Sequence, residues 1–202
     1  MIAATVDGVA VPVDEVDARE ARLRGGPLAA GLPAAGTSEG RQLRRWLTQL
    51  IVTERVVAAE AAALGVTGHD APSEAELLPD TAARLEIGSI AAAALSDPRG
   101  RAVFARVTAA VDVSDDDVAC YHDRNPLRFA ATEPDGHGWR APADAAPPLA
   151  QVRAAIADHL RAAARRRAFR MWLDGRRAEL VQLAPGYEHP GDPRQPDNTH
   201  RH

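Results

Sequence analysis

The chain has 202 residues, a formal net charge of −4 and a single cysteine, Cys120. This length suits one domain with a sizeable core, and one cysteine excludes an internal disulfide framework. The mild negative charge gives no electrostatic basis for nucleic-acid binding. Aromatic residues make up only 4% of the chain, which argues against the base-stacking surfaces of single-strand binders. We therefore predict a globular protein that does not bind nucleic acid.

The sequence shows neither a targeting segment nor a membrane span. Its start, MIAATVD, lacks the basic region and the long apolar run of a signal peptide. No stretch contains enough consecutive apolar residues to cross a bilayer. These patterns predict a cytoplasmic protein with no membrane partner.

The first element is predicted to be a β-hairpin. Two short runs rich in β-branched residues, 2–6 and 9–13, are separated by Asp7-Gly8. Asp-Gly between such runs favours a type I′ turn, because that turn needs a positive φ at both central residues. The two runs should therefore pair as antiparallel strands.

Helical spacing of apolar residues dominates the rest of the chain. We expect Asp14 to cap a first helix that ends near Leu23. A long second helix should begin at Ser38 and end at Leu64, because Gly65 suits the left-handed position that follows many helices. Further helices are predicted to begin at 73 and to span 81–95, 97–111 and 113–123.

The helix at 113–123 has a sharp start signal. Ser114 suits the capping position and Asp117 lies three residues later, so the pair resembles a capping box with Asp in place of Glu. Asp115 and Asp116 beside them superficially resemble a metal cluster. Acidic residues at a helix start complement its dipole, so we interpret all three aspartates as part of the helix start.

The last helix is predicted to be the longest, over residues 147–183. Its bulky apolar residues recur at steps of three and four, so they form one stripe that needs a groove from earlier chain. We expect that groove to come from residues 38–64, and residues 179–183 are also a candidate strand beside the hairpin. Alanines bridge the gap between Leu160 and Phe169. The stripe consists of Leu149, Val152, Ile156, Leu160, Phe169, Trp172 and Leu173.

Four segments occur in the order of a known family. They are TVDGVAVPVDEVDAR, LRRWLTQLIVTERVVAAEAAALGV, VDVSDDDVACYHDRNPLRF and PPLAQVRAAIADHLRAAARRRAFRMWL. Together they resemble the chaperone part of the SurA/PrsA class of parvulin-type foldases. The resemblance implies a mainly α, SurA-like helical domain over residues 1–183, with a small N-terminal β-hairpin and a separate Pro/His-rich tail, 184–202.

The chain departs from that family at one place. Full-length relatives carry a prolyl-isomerase domain before the returning helix, whereas here Phe129 is followed only by the polar segment 130–146. A domain usually needs at least about 50 residues, so we read 130–146 as a short loop and do not expect isomerase activity. The resemblance then implies a non-catalytic chaperone-like or adaptor protein. Its partner would be an unfolded or extended polypeptide, or a specific client, held in an apolar groove.

The tail offers the main alternative. His189, His200 and His202 occur there beside Asp192 and Asp197, and imidazoles with carboxylates can bind a divalent transition metal. The same tail can equally be a solvated segment, since its ligand spacing is irregular. The alternative function is a small enzyme or metal-dependent accessory protein that reuses the SurA-like scaffold. No other cofactor is expected, and the sequence leaves the oligomeric state open.

Other reactive side chains are interpreted as structural. His122 is expected at a helix end near the negative pole of the helix dipole, and His159 at the border of the long helix. Cys120 is expected to pack rather than react. The long helix also carries a basic face, which we interpret as solvated, with an acidic partner as the second interpretation. Its members are Arg161, Arg165, Arg166, Arg167, Arg170, Arg176 and Arg177.

Overall fold

A computed structural model describes residues 1–130 and 146–192 of the chain. The predicted mainly α fold with a small N-terminal hairpin and a C-terminal strand is confirmed. The strands in this part of the chain are β1 (Ile2–Val6), β2 (Val9–Pro12) and β3 (Val181–Leu183). Its α-helices are α1 (Val13–Arg24), α2 (Ser38–Leu64), α3 (Glu74–Leu77), α4 (Thr81–Ile87), α5 (Ser89–Ala94), α6 (Pro98–Val107), α7 (Asp115–Arg124) and α8 (Leu149–Leu180).

The three strands form an antiparallel sheet in the order β2-β1-β3. Asp7 and Gly8 both have a positive φ, 48° and 74°, as the predicted hairpin turn requires. The Asp7 amide donates to the Leu180 carbonyl at 2.9 Å, and the Ala184 amide donates to the Ala3 carbonyl at 2.9 Å. The last helix therefore ends at Leu180 rather than at residue 183, and the strand that follows it joins the two ends of the chain.

The first helix starts one residue before the predicted cap. Pro12 occupies the N-cap position of α1 with φ −72°, and no side chain caps the helix. Asp14 lies inside the first turn, so the prediction that it caps α1 is wrong. Helix α1 begins directly after Pro12, the last residue of β2, so Asp14 already lies within the helix and complements its dipole instead.

Two predicted helices are shorter in the structure. The helix predicted at 81–95 breaks at Gly88, whose φ of 88° and ψ of 152° suit only glycine, so α4 and α5 are separate. The helix predicted to end at 111 ends at Val107. There the Thr108 hydroxyl donates to the Phe104 carbonyl at 2.7 Å, and a turn follows.

The main core lies between the sheet, α2, the helices α4 to α6 and the second half of α8. Phe169 of α8 is fully buried there, with its ring 5.1 Å from that of Phe104 and 5.6 Å from that of Trp172. Trp172, predicted to lie in the buried stripe, is only half-buried. The C-terminal half of α8 therefore packs on α2, as expected from the sequence.

The first half of α8 packs elsewhere. Val152 and Ile156 join Val118 of α7 in a second apolar cluster. The predicted single stripe of α8 thus serves two separate clusters, and the alanines at 162–164 lie in the stretch between them. None of the helices in 1–130 and 146–192 has the length and apolar character needed to cross a membrane.

Candidate functional site

A cleft of about 490 Å³ opens between α7 and the middle of α8. We call it the α7–α8 cleft. Its apolar residues are Val113, Tyr121, Leu160, Ala163 and Ala164, and its polar residues are Asp112, Asp117, Cys120, Arg124, Asn125 and Arg167. Because alanine side chains are small, the α8 surface cannot fill the space beneath α7, and the cleft results.

Local interactions at the start of α7 fix one wall of this cleft. The Asp117 amide donates to the Ser114 hydroxyl oxygen at 3.1 Å, and the Ser114 amide donates to the Asp117 carboxylate at 3.2 Å. The predicted capping box is therefore confirmed. Asp115 pairs with Arg153 of α8 at 2.6 Å, so the aspartates serve the helix start and its attachment to α8.

An aromatic group supports the other side of α7. The Tyr121 hydroxyl lies 3.3 Å from Nε2 of His159, and the ring of Phe129 lies within 6.3 Å of Tyr121 and 5.8 Å of His159. Burial, followed by the nearby Arg128 and Arg166 guanidinium groups, lowers the pKa of His159. The neutral imidazole can share a hydrogen bond with the Tyr121 hydroxyl, which holds Tyr121 at the cleft.

The loop end of α7 is tied to the start of α8. Nε2 of His122 donates to the Pro147 carbonyl at 2.9 Å, so this imidazole has a structural partner, in agreement with its predicted place at a helix end. Asp123 is exposed and lies 3.9 Å from Nδ1 of His122. Cys120, predicted to pack, is exposed at the cleft instead.

Much of the predicted basic face of α8 is engaged within the chain. Arg166 is buried and its Nε lies 2.7 Å from the Glu86 carboxylate, so the interpretation of this residue as solvated is wrong. Arg176 contacts Glu60 at 2.6 Å. Arg161 pairs with Asp112 at 2.9 Å and with Asp158 at 2.7 Å. Acidic groups of the chain itself therefore neutralise several of these arginines.

The first part of the tail lies on α2. The Tyr187 amide donates to the Ala184 carbonyl at 3.0 Å, which closes a turn. Nε of Arg45 then donates to the Gly186 carbonyl at 3.2 Å, and Nε2 of Gln49 donates to the Tyr187 carbonyl at 3.3 Å. The segment at 184–187 is thus held by its main-chain carbonyls and by the Tyr187 side chain, which packs against the main core.

Of the three predicted metal-binding histidines, the described residues include only His189. Its Nδ1 accepts a hydrogen bond from the Gly191 amide at 3.0 Å. His200 and His202 lie outside the described residues, as do 131–145 of the predicted loop. Within 1–130 and 146–192, no group of three His, Cys, Asp or Glu side chains is placed to hold a metal ion. The metal site stays a prediction.

Comparison with known proteins gives one partial match. A family of unknown function, DUF7158, matches residues 2–39. No curated protein and no solved structure matches the chain. The matched segment contains the hairpin and α1 and stops before α7 and α8, so it carries no information about the cleft.

The sequence did not indicate where the cleft lies. In the sequence the alanines at 162–164 only bridge two parts of the predicted stripe, and no pattern distinguishes Tyr121. The useful signal is the combination of a short capped helix and a run of small residues on its partner helix. Small residues leave space that larger neighbouring side chains can line.

Proposed function

We propose that this chain is a non-catalytic, chaperone-like binding protein that holds a segment of another polypeptide in the α7–α8 cleft. The observation that carries this proposal is the cleft's composition, which combines apolar side chains, here called its floor, with acidic and basic side chains, here called its rim. Its volume of about 490 Å³ lies within the range of about 300–1,000 Å³ that is common for ligand pockets. An extended segment can place an apolar side chain on the floor while its backbone meets the polar rim.

The polar groups of the rim suit binding more than chemistry. Asp117 caps α7, and Asp112 is paired with Arg161. Arg124 and Arg167 add positive charge to the lining, and the Asn125 side-chain amide donates to the Tyr121 carbonyl at 3.0 Å. Charges of both signs can orient a partner segment, because like charges placed opposite each other are penalised.

We also propose that the chain is related to the chaperone module of the SurA/PrsA class. The support is the sequence resemblance and the order of the elements: a hairpin, a long helix, a short capped helix and a long returning helix. Under this proposal, the partner is an unfolded or extended polypeptide. Fold alone does not decide function, so the binding site must be tested directly.

The test is the binding of a fluorescently labelled, permanently unfolded polypeptide, followed by fluorescence anisotropy. We expect saturable binding to the unmodified chain. Ala163→Leu, which fills the cleft floor, should weaken binding by about tenfold, equivalent to about 1.4 kcal/mol. Ala178→Leu is the matched control, because Ala178 is exposed on the same helix and does not line the cleft.

Three results would decide against the proposal. One is that the chain binds no unfolded polypeptide and does not suppress its aggregation at an equimolar ratio. Another is equal weakening by Ala163→Leu and Ala178→Leu, which would indicate a general effect of added apolar surface. A third is that the Ala163→Leu variant keeps the helical circular dichroism of the unmodified chain and binds the polypeptide equally well. That result would place the polypeptide elsewhere.

A further inference from the structure

Two buried hydrogen-bond donors on α2 lie one helical turn apart. Arg45 is 4% exposed and Gln49 is 1% exposed, and their side chains donate to the carbonyls of Gly186 and Tyr187. Burying such groups is costly unless they are hydrogen-bonded. The α2 surface therefore receives two main-chain carbonyls of the segment that covers it.

A third side chain fixes the direction of the Gln49 amide. Arg177 of α8 donates to Oε1 of Gln49. Arginine can only donate, so Oε1 must face α8 and Nε2 must face the tail. Arg177 is thus a positioning residue that leaves Gln49 with its donor directed at the Tyr187 carbonyl.

The segment that meets these donors has a defined shape. Ala184 to Tyr187 form a turn closed by the Tyr187 amide and the Ala184 carbonyl. Pro185 occupies its second position, and Gly186 its third with φ 91°. This pattern favours a type II turn, in which proline is common at the first of the two central positions and glycine supplies the positive φ at the second. The half-buried Tyr187 then packs against the main core.

We propose that Arg45, Gln49 and Arg177 form a binding site for a Pro-Gly turn followed by an aromatic residue, and that residues 184–187 occupy this site in cis. The partner is a polypeptide that carries the same turn. The site recognises two carbonyls, a turn and one aromatic ring. Another polypeptide with the same turn and ring can present all of these features. The site shares no residue with the α7–α8 cleft, so it does not depend on the function proposed there.

A covalently attached segment competes strongly with a separate one. Tethering gives the tail an effective concentration in the millimolar range. A partner segment should therefore bind the unmodified chain weakly, and loosening the tail should raise its apparent affinity. Gly186→Ala loosens the turn without a clash, because an added Cβ at Gly186 meets nothing within 4 Å and only the positive φ is disfavoured.

The experiment uses a labelled peptide with the sequence of residues 183–192, LAPGYEHPGD, and the full chain. We expect the peptide to bind Gly186→Ala about 5- to 30-fold more tightly than the unmodified chain. Adding Gln49→Glu should abolish the gain, since glutamate keeps an acceptor for Arg177 but has no donor for the Tyr187 carbonyl. A peptide with serine in place of its tyrosine should bind more weakly.

Two outcomes would overturn the proposal. The first is that Gly186→Ala keeps the circular dichroism and melting of the unmodified chain yet binds the peptide no better. The second needs no substitution: the Tyr187 amide of the unmodified chain exchanges its hydrogen only through global unfolding, which would make the tail a fixed part of the fold. Binding of an unfolded polypeptide at the cleft, sensitive to Ala163→Leu, should continue in either case, so the two proposals can fail separately.

Discussion

Replacing Phe169 with alanine is expected to remove about 4 kcal/mol from the free energy of unfolding, the middle of the range for a buried aromatic. Phe169 is fully buried and contacts the rings of Phe104 and Trp172, so its removal opens a cavity that both neighbours line. A typical domain is stable by only about 5–15 kcal/mol. The variant should therefore lose between about a quarter and four-fifths of its stability.

The measurement is urea unfolding followed by far-ultraviolet circular dichroism. Met171→Ala is the matched control, because Met171 lies two residues away on α8 and is 66% exposed. Its substitution should change the free energy of unfolding by less than about 0.5 kcal/mol. Truncating a buried leucine or a larger core side chain to alanine usually costs at least about 2 kcal/mol. A loss of less than about 1 kcal/mol for Phe169→Ala would therefore refute the placement of α8 in the main core.

Three further predictions concern polar groups. Arg166→Met should cost about 2 kcal/mol in urea unfolding, less than the loss from breaking a fully buried pair, because Glu86 keeps part of its hydration. Ser114→Ala should cost about 1 kcal/mol and weaken binding of the unfolded polypeptide, since it removes the cap that fixes α7. The pKa values of His159 and His189 are lowered from 6.5, so the unfolded chain takes up protons first. Their stabilising contribution is full above pH 6.5 and is lost as the pH falls through the folded values. Urea unfolding across this range should show the loss of stability, and His159→Gln and His189→Gln should each flatten its dependence on pH.

Local signals in the sequence were enough to predict many element boundaries. Asp7-Gly8 forms the hairpin turn, Gly65 ends α2 with φ 63°, the predicted capping box starts α7, and the helix predicted to begin at 73 is capped by Ser73. Each of these signals acts within three or four residues through a hydrogen bond or a backbone preference. The residues that make such interactions lie close in sequence to the helix end or turn that they stabilise, so the sequence pattern reveals them.

Features that depend on distant residues were not predicted. Arg166 reads as one of three exposed arginines, but the Glu86 carboxylate, 80 residues away, and the Leu77 carbonyl accept its hydrogen bonds where it is buried. The hydrogen-bond donors on α2 look like ordinary polar residues in the sequence. The tail that covers them is far away in the chain, 138 residues from Gln49 in the case of Tyr187. Gly88 breaks a helix inside an otherwise continuous pattern. In each of these examples the structure depends on a distant contact or on the backbone geometry of one residue. The local pattern of apolar and polar residues does not show either of them.

The cleft combines both kinds of information. The capping box that starts α7 was predicted, and so was the amphipathic character of α8. Their relative placement comes from Val118 meeting Val152 and Ile156, and the apolar spacing did not indicate that the stripe would divide between two clusters. The alanines between those clusters leave the cleft open, which the sequence pattern alone could not show.

The most direct test of the proposed polypeptide-binding role uses Cys120, which lines the cleft and is exposed. A photoreactive maleimide attached there should cross-link an unfolded polypeptide, and the yield should fall in Ala163→Leu. The same reagent on the control Cys120→Ser with Ala178→Cys should give little product, because position 178 lies outside the cleft. Equal cross-linking from both positions, or none from Cys120, would contradict binding in the α7–α8 cleft.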